Sequence, residues 1–264
     1  MELEGKVFWI TGASSGIGRA LLLECAGKGA TVIASSNDEE ELEKAIKDCG
    51  NKANKVISAP FDLADTSSID RIVDETLTVT GAIHYLVNLG GVSQRATIEE
   101  TPLWLDRKIM EINYFGTIAL SKAVLRHMLQ QGFGHILVTS SIAGRFGFPL
   151  RSAYSASKQA LHGFIETLHI ENSRKNIRGS VIIPGRVRTN ISLNALDSEG
   201  RSHGKLDEGQ KSGITPEKAA RTILRGIHRN KREILVGGNE LLMLYIRKYF
   251  PGLFFRIAAK IKPT

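Results

Sequence analysis

Short apolar runs rich in β-branched residues alternate with amphipathic stretches along most of the chain. The runs are Val7–Thr11, Thr31–Ser35, Lys55–Ala59, Tyr85–Val87, His135–Thr139, Ser180–Ile183 and Glu233–Val236. Between them apolar residues recur at helical period in Ala20–Lys28, Glu39–Asp48, Ser68–Thr80, Leu103–Ile112, Gly116–Gln131 and Tyr154–Arg174. Strands that alternate with helices pair in parallel, because a parallel neighbour is reached only through a crossover. Right-handed crossovers place helices on both sheet faces, so the pattern predicts an α/β, doubly wound fold with a seven-stranded, mostly parallel sheet. No internal repeat, low-complexity tract or linker divides the chain, and one domain spanning 1–264 is expected. The rhythm fails once, from Asn190 to Gly213, a polar and weakly periodic interval that reads as either a disordered surface loop or a mobile lid.

At 264 residues, with 42% hydrophobic and 23% charged positions, the chain has the composition of a soluble globular protein with a substantial core. Its cysteines, Cys25 and Cys49, fall on separate helical segments and form no disulfide framework, which points to a reducing, cytoplasmic setting. A strand pattern begins by Val7, leaving no room for a signal peptide, and no apolar run reaches membrane-spanning length. The net charge of +8 is uneven: residues 201–264 hold 14 Lys and Arg against 5 Asp and Glu, while the rest is nearly balanced. Within that basic quarter, Pro251-Gly252 divides Leu241–Lys262 into two short amphipathic helices with five cations. Such a tail packs on the body or a second subunit, or rests on an anionic membrane surface. It contains no nucleic-acid recognition motif.

The first strand runs into Thr11-Gly12-Ala13-Ser14-Ser15-Gly16-Ile17-Gly18 and then an apolar helix. Glycine is required where the chain turns sharply, where backbone approaches a phosphate, and where a helix packs closely on a strand. The helix start then offers unpaired N–H groups to an anion. The spacing Gly-x-x-x-Gly-x-Gly is neither Gly-x-Gly-x-x-Gly nor a P-loop. A second constellation follows. Tyr154 and Lys158 stand four apart in a good helical sequence, on one face, and Tyr154 alone of the five tyrosines has a lysine at that offset. A neighbouring ammonium stabilises a phenolate, whose ordinary pKa near 10 is too high for a base at neutral pH. Ser140 and Ser141 follow the fifth strand, at the carboxyl edge where such sheets bind ligands, so either hydroxyl could orient a substrate oxygen. Asn113 sits mid-helix, an awkward place for an amide unless it is satisfied at a kink. The histidines show no metal-ligand spacing, so no metal site is expected, and no Gly-x-Ser-x-Gly elbow suggests a hydrolase.

Together these motifs resemble the short-chain dehydrogenase/reductase family, whose landmarks recur here in order. They are the glycine motif, Asp62, Asn88-Leu89-Gly90-Gly91, Asn113, Ser141, Tyr154-x-x-x-Lys158 and Pro184-Gly185. The resemblance covers residues 5 to about 190 and implies a Rossmann-type NAD(P)-dependent oxidoreductase that interconverts an alcohol and a carbonyl compound. It assigns Tyr154 as proton donor and acceptor, Ser141 (favoured over Ser140) as the group that steadies the substrate oxygen, and Lys158 as partner of Tyr154 and of the nicotinamide ribose. Asn113 would hold a water that links Lys158 to solvent. Along the cofactor it implies Gly12, Ser14, Ser15, Gly16, Ile17 and Gly18, then Ser36, Asn37, Asp62, Leu63, Asn88 and Gly90, and finally Pro184, Gly185, Val187 and Thr189. Leu89 replaces the family's second asparagine and Gly90 its alanine, which bears on a local strand contact. At the end of the second strand Ser36 replaces the acid that favours NAD, so NADP(H) is favoured, although Asp38 lies close by. Asn88–Gln94, Glu111–Gly116 and the basic tail look like the branch containing dehydrogenase/reductase family member 7, which hints at a lipophilic carbonyl substrate with Phe146, Phe148 and Gln94 around the pocket. A homodimer or homotetramer, cytoplasmic and with peripheral membrane contact through the tail as an option, is the implied form. The alternative function is a dinucleotide-binding redox sensor without catalysis, which the retained tyrosine and lysine argue against.

Overall fold

A computed structural model describes residues 2–260. The strands are β1 (Val7–Thr11), β2 (Thr31–Ser35), β3 (Val56–Ser58), β4 (Tyr85–Asn88), β5 (Gly134–Thr139), β6 (Ile177–Pro184) and β7 (Glu233–Val236). They form one seven-stranded sheet in the order β3-β2-β1-β4-β5-β6-β7, and every neighbouring pair is parallel. The helices are α1 (Gly16–Gly27), α2 (Glu39–Lys47), α3 (Ile69–Thr80), α4 (Leu103–Met110), α5 (Thr117–Gln131), α6 (Ser152–Asn172), α7 (Glu208–Lys211), α8 (Pro216–His228), α9 (Leu242–Tyr249) and α10 (Pro251–Ala258).

The central strands are apolar at nearly every position because both of their faces are covered. Successive residues of β1 enter opposite cores. Phe8 and Ile10 join Leu21 and Leu22 of α1, Leu42 of α2 and Ile223 of α8. Val7 and Trp9 join Val73 of α3, Val124 of α5 and Ile165 of α6. The order reverses between β2 and β4, which flank β1 with Thr11 level with both Ser35 and Asn88. That switch point opens a crevice at the carboxyl ends of the strands, and the candidate site occupies it.

Several expected boundaries shift. The sixth strand was expected over Ser180–Ile183 and runs from Ile177 to Pro184, because backbone pairing with β5 and β7 extends it past its apolar segment. The helix expected over Leu103–Ile112 ends at Met110 and continues through a π-helical turn, Glu111–Gly116, into α5. Gly116 explains the close fit of that turn, since a Cβ there would lie 2.1 Å from the Leu63 carbonyl oxygen. The helix α8 was not among those expected, yet Thr215 caps it by accepting from Lys218 N, with Pro216 in its first turn.

The interval 190–213 is not a disordered loop. Leu196 bridges to Gln94 in parallel and to Ser202 in antiparallel fashion, and α7 closes the segment. Its anchor is ionic: Asp207 accepts from Arg95 at 2.6 Å and from Arg151 at 2.9 Å, with all three side chains largely withdrawn from water. Neither arginine is near Asp207 in sequence, so pattern alone could not find the clasp. The tail does split at Pro251, and Phe254 of α10 packs on Phe146 with ring centroids 4.7 Å apart. Tyr245, Tyr249, Phe250, Leu253 and Phe255 remain exposed beside Arg247. Lys262, the last of the expected tail cations, lies outside the described residues. No described helix is long and apolar enough to cross a membrane.

Asp207→Asn leaves two buried guanidinium groups sharing no carboxylate. The expected loss is about 3–5 kcal/mol, read by urea unfolding, with earlier proteolytic cleavage within 190–213.

Candidate active site

The turn after β1 is built on glycine because no side chain fits it. Gly12 has φ +66° and a Cβ there would meet Gly90 N at 2.9 Å, while a Cβ on Gly18 would lie 2.0 Å from the Gly12 carbonyl oxygen. These contacts bring the start of α1 against the ends of β1 and β4. Ser15, at the helix N-cap, makes no side-chain hydrogen bond to the first turn, so the leading N–H groups stay available to an anion. Thr11 fastens the neighbouring turn, its Oγ1 accepting from both Leu89 N and Gly90 N at 3.0 Å. The replacements at 89 and 90 therefore leave the strand ends joined through backbone.

A cavity of about 1050 Å³ runs from this turn across the switch point. Its walls include Gly12, Ser14, Ser15, Gly16, Ile17 and Gly18 at one end, and Ser141, Tyr154 and Lys158 at the other. Ser36, Asn37, Asp62, Leu63 and Gly90 lie along it, as do Pro184, Gly185, Val187 and Thr189. Two expected residues do not line it. Asn88 is turned into the sheet, where its Nδ2 donates to Ser121 Oγ at 3.2 Å and to the Leu137 carbonyl at 3.1 Å. Asn113 is fully buried, and its amide is committed to protein. Its Oδ1 accepts from Val92 N at 2.8 Å, and its Nδ2 donates to Val92 O at 2.9 Å and Ser157 Oγ at 3.0 Å. With both amide protons used, Asn113 satisfies the π-helical turn and ties it to the helix that carries Tyr154.

At the end of β2, the Ser36 and Ser14 hydroxyls lie 2.8 Å apart, and Ser36 Oγ accepts from Asp38 N. The Asp38 carboxylate caps α2 by accepting from Glu41 N at 3.0 Å. Two hydroxyls stand at the end of β2, with the exposed Asp38 lining the cavity two residues beyond Ser36.

The other end of the cavity holds the ionisable groups. Tyr154 falls in the first turn of α6, which begins at Ser152 rather than at Tyr154, and Lys158 follows one turn on. Ser140 also lines the cavity, but its hydroxyl is engaged by protein: it donates to the Lys158 carbonyl at 2.9 Å and accepts from His162 Nε2 at 2.7 Å. Ser141 lines the cavity with Tyr154, and its Oγ accepts from Ala143 N at 3.1 Å. Tyr154 keeps part of its surface open to the cavity, but dense protein surroundings push its pKa above the ordinary value, opposed by the Ser141 hydrogen bond and by the charges of Arg151 and Arg95. Burial alone lowers Lys158 to about 8, and among the described residues no carboxylate pairs with it.

Arg95, Arg151 and Asp207, which the sequence motifs did not indicate, also line this end. Two guanidinium groups share one carboxylate, leaving a net positive charge near the phenol. Of the aromatic and amide residues expected around the pocket, only Phe148 lines it. Phe146 is taken up by Phe254, and Gln94 is wholly buried beneath the start of α6.

The architecture is that of a Rossmann-type α/β protein, with its cavity at the topological switch point. A short chain dehydrogenase family model matches residues 6–200, so the chain belongs to the short-chain dehydrogenase/reductase family of oxidoreductases. It is 41% identical over 264 residues to dehydrogenase/reductase SDR family protein 7-like from Drosophila melanogaster, covering 98% of this chain and 81% of that protein. It is 37% identical over 262 residues to dehydrogenase/reductase SDR family member 7B from Xenopus laevis, covering 97% and 81%. In fold it is similar to a short chain dehydrogenase/reductase from Burkholderia phymatum solved in complex with NAD, with a TM-score of 0.83, 24% identity, and 100% and 98% of the two chains covered. A short chain dehydrogenase from Burkholderia cenocepacia solved in complex with NADP gives a TM-score of 0.81 at 22% identity, with 99% and 100% covered.

The buried lysine has a cost to stability with a definite sign. Its folded pKa lies below the 10.5 of an ordinary lysine, so the unfolded chain holds the proton more tightly between about 8 and 10.5. Stability should therefore rise with pH across that window. Lys158→Met should be more stable than the parent near pH 7, by up to about 3 kcal/mol, with the difference shrinking towards about pH 10. Urea unfolding at several pH values measures both.

Proposed function

We propose that the chain binds a nicotinamide dinucleotide along the glycine turn and interconverts an alcohol and a ketone or aldehyde, with Tyr154 as acid and base. One observation carries this reading. A single cavity joins a glycine-rich, uncapped helix start to a wall that holds Ser141 and Tyr154, with a buried lysine one helical turn from the phenol. The cradle fits the dinucleotide because glycine at 12 and 18 admits backbone contact and α1 leaves its first N–H groups uncapped. The bound dinucleotide would supply or accept hydride. In reduction, Ser141 and Tyr154 hold the carbonyl oxygen, and Tyr154 donates its proton to that oxygen as negative charge develops there. Burial keeps Tyr154 protonated at neutral pH, which suits the acid role. In oxidation Tyr154 acts as the phenolate and takes the alcohol proton, a form that the charges of Arg151 and Arg95 favour, with Lys158 Nζ 5.9 Å from the ring centroid. The full set of proton-handling groups at one end of the cavity favours catalysis over a purely sensory role.

The cofactor reading is NADP(H). The Ser14 and Ser36 hydroxyls at the end of β2 can donate to a 2′-phosphate, and the Asp38 carboxylate is directed to the first turn of α2 through its bond from Glu41 N.

Tyr154→Phe should lower turnover by at least about 10²-fold, measured by nicotinamide absorbance across a panel of carbonyl compounds. Cofactor affinity, followed by its fluorescence, should stay unchanged; retained turnover would remove Tyr154 from the mechanism. Parallel kinetics with NADPH and NADH should give the higher kcat/KM for NADPH, and the opposite order would overturn the cofactor reading.

A further inference from the structure

The helix that carries Tyr154 lacks a local cap. Arg151, at its N-cap, has φ −140° and ψ 38° and makes no side-chain hydrogen bond to the first turn. Uncapped first turns fray, because their N–H groups have no partner within the helix. Tyr154 is the third residue of α6, inside the turn that would fray, whereas Lys158 lies a turn deeper. Loss of order at this end would therefore move the phenol relative to the ammonium and to Ser141.

The missing cap comes from across the chain. Gln94, which has no solvent exposure, directs its Oε1 at the start of α6, accepting from Ala153 N at 2.9 Å and Tyr154 N at 3.3 Å. Its Nε2 donates to Thr101 Oγ1 at 2.9 Å and to Ser152 Oγ at 3.4 Å. The amide orientation is determined by Thr101, whose single hydroxyl proton goes to the Thr97 carbonyl at 2.6 Å. Thr101 can then only accept from Gln94, so the amide nitrogen must face it and the oxygen must face the helix. The backbone around Gln94 is held as well. Leu196 N donates to Ser93 O at 2.9 Å and Arg95 N donates to Leu196 O at 2.8 Å.

We propose that Gln94 is a positioning residue for Tyr154, its side-chain carbonyl serving as the N-terminal cap of the catalytic helix and linking that helix to the 190–213 segment. The proposal rests on Tyr154 being the proton carrier, and its consequences differ from those of general destabilisation. An acceptor at this place holds two N–H groups at the base of the tyrosine, so its removal should affect proton transfer and leave the glycine turn, at the far end of the cavity, unaltered.

The experiment uses the full chain with Gln94→Met, which keeps length but has no carbonyl acceptor, Gln94→Glu, which keeps the acceptor and adds charge, and Tyr154→Phe as reference. Four readouts are taken: kcat and KM with NADPH and 4-nitrobenzaldehyde as probe carbonyl, amide hydrogen exchange at Ala153 and Tyr154, melting temperature, and ultraviolet difference titration against Tyr154→Phe, which isolates the Tyr154 phenol. Gln94→Met should exchange faster at both amides and lose about 10- to 100-fold in kcat, with the KM for NADPH unchanged. Gln94→Glu should restore slow exchange and most of kcat, while its carboxylate shifts the Tyr154 titration to higher pH. The proposal is overturned if Gln94→Met keeps both kcat and slow exchange while Tyr154→Phe is inactive. It is also overturned if kcat, NADPH affinity and melting temperature fall together in both Gln94 variants, which is the signature of a structural role alone. If Tyr154→Phe stays active, the proton-carrier reading fails by itself, and the exchange data still decide whether Gln94 caps the helix.

Discussion

The structure depends on one close approach of backbone to backbone. Gly12 lies against the backbone of Gly90 and Gly18 against that of Gly12, with no room for a methyl group on Gly12 or Gly18, which presses the start of α1 against the ends of β1 and β4. The crevice forms there because the strand order reverses around β1, so crossovers on its two sides leave in opposite directions. Any side chain at these glycines would push the helix away and fill the place where an anion meets unpaired N–H groups. The two cores on either side of the sheet give this contact its rigidity: Phe8 and Ile10 lock β1 to one helical layer, Val7 and Trp9 to the other.

The opposite end of the cavity is governed by desolvated charge. Lys158 is buried without a carboxylate partner among the described residues, and burial draws its pKa down towards neutrality. Burial also holds the Tyr154 phenol in its protonated form, so the same dry surroundings act in opposite directions on the acid and the base. Arg95 and Arg151 contribute positive charge to that region, yet both are engaged with Asp207. One carboxylate therefore performs two tasks: it makes two buried guanidinium groups tolerable and fixes the 190–213 segment over the site.

Much of the site was readable from particular residues. The turn at Gly12–Gly18 and the Tyr154–Lys158 pair announce themselves because each depends on local geometry, a positive φ and close approach in one case and helical spacing in the other. The two serines are told apart by their partners: Ser140 bonds the Lys158 carbonyl and His162, while Ser141 accepts from Ala143 N. Asn88 and Asn113 carried the right residue types but face elsewhere, into the sheet and into a π-helical turn, because buried amides follow whichever backbone groups lack partners. The cap from Gln94 and the clasp at Asp207 gave no local signal, since Ala153 and Arg151, the groups they hold, lie 59 and 56 residues away.

The sequence by itself determined the strand–helix alternation, and with it the parallel sheet, the phosphate-ready turn and the tyrosine–lysine face, all set by periodicity or steric demand within a few residues. Only the tertiary structure decided which partners each serine takes, where the asparagine amides are spent, how the 190–213 segment is fastened, and where the helix bearing Tyr154 finds its cap. Those choices rest on desolvation and on pairing buried polar groups across long stretches of chain, and a buried donor takes its partner from space rather than from sequence.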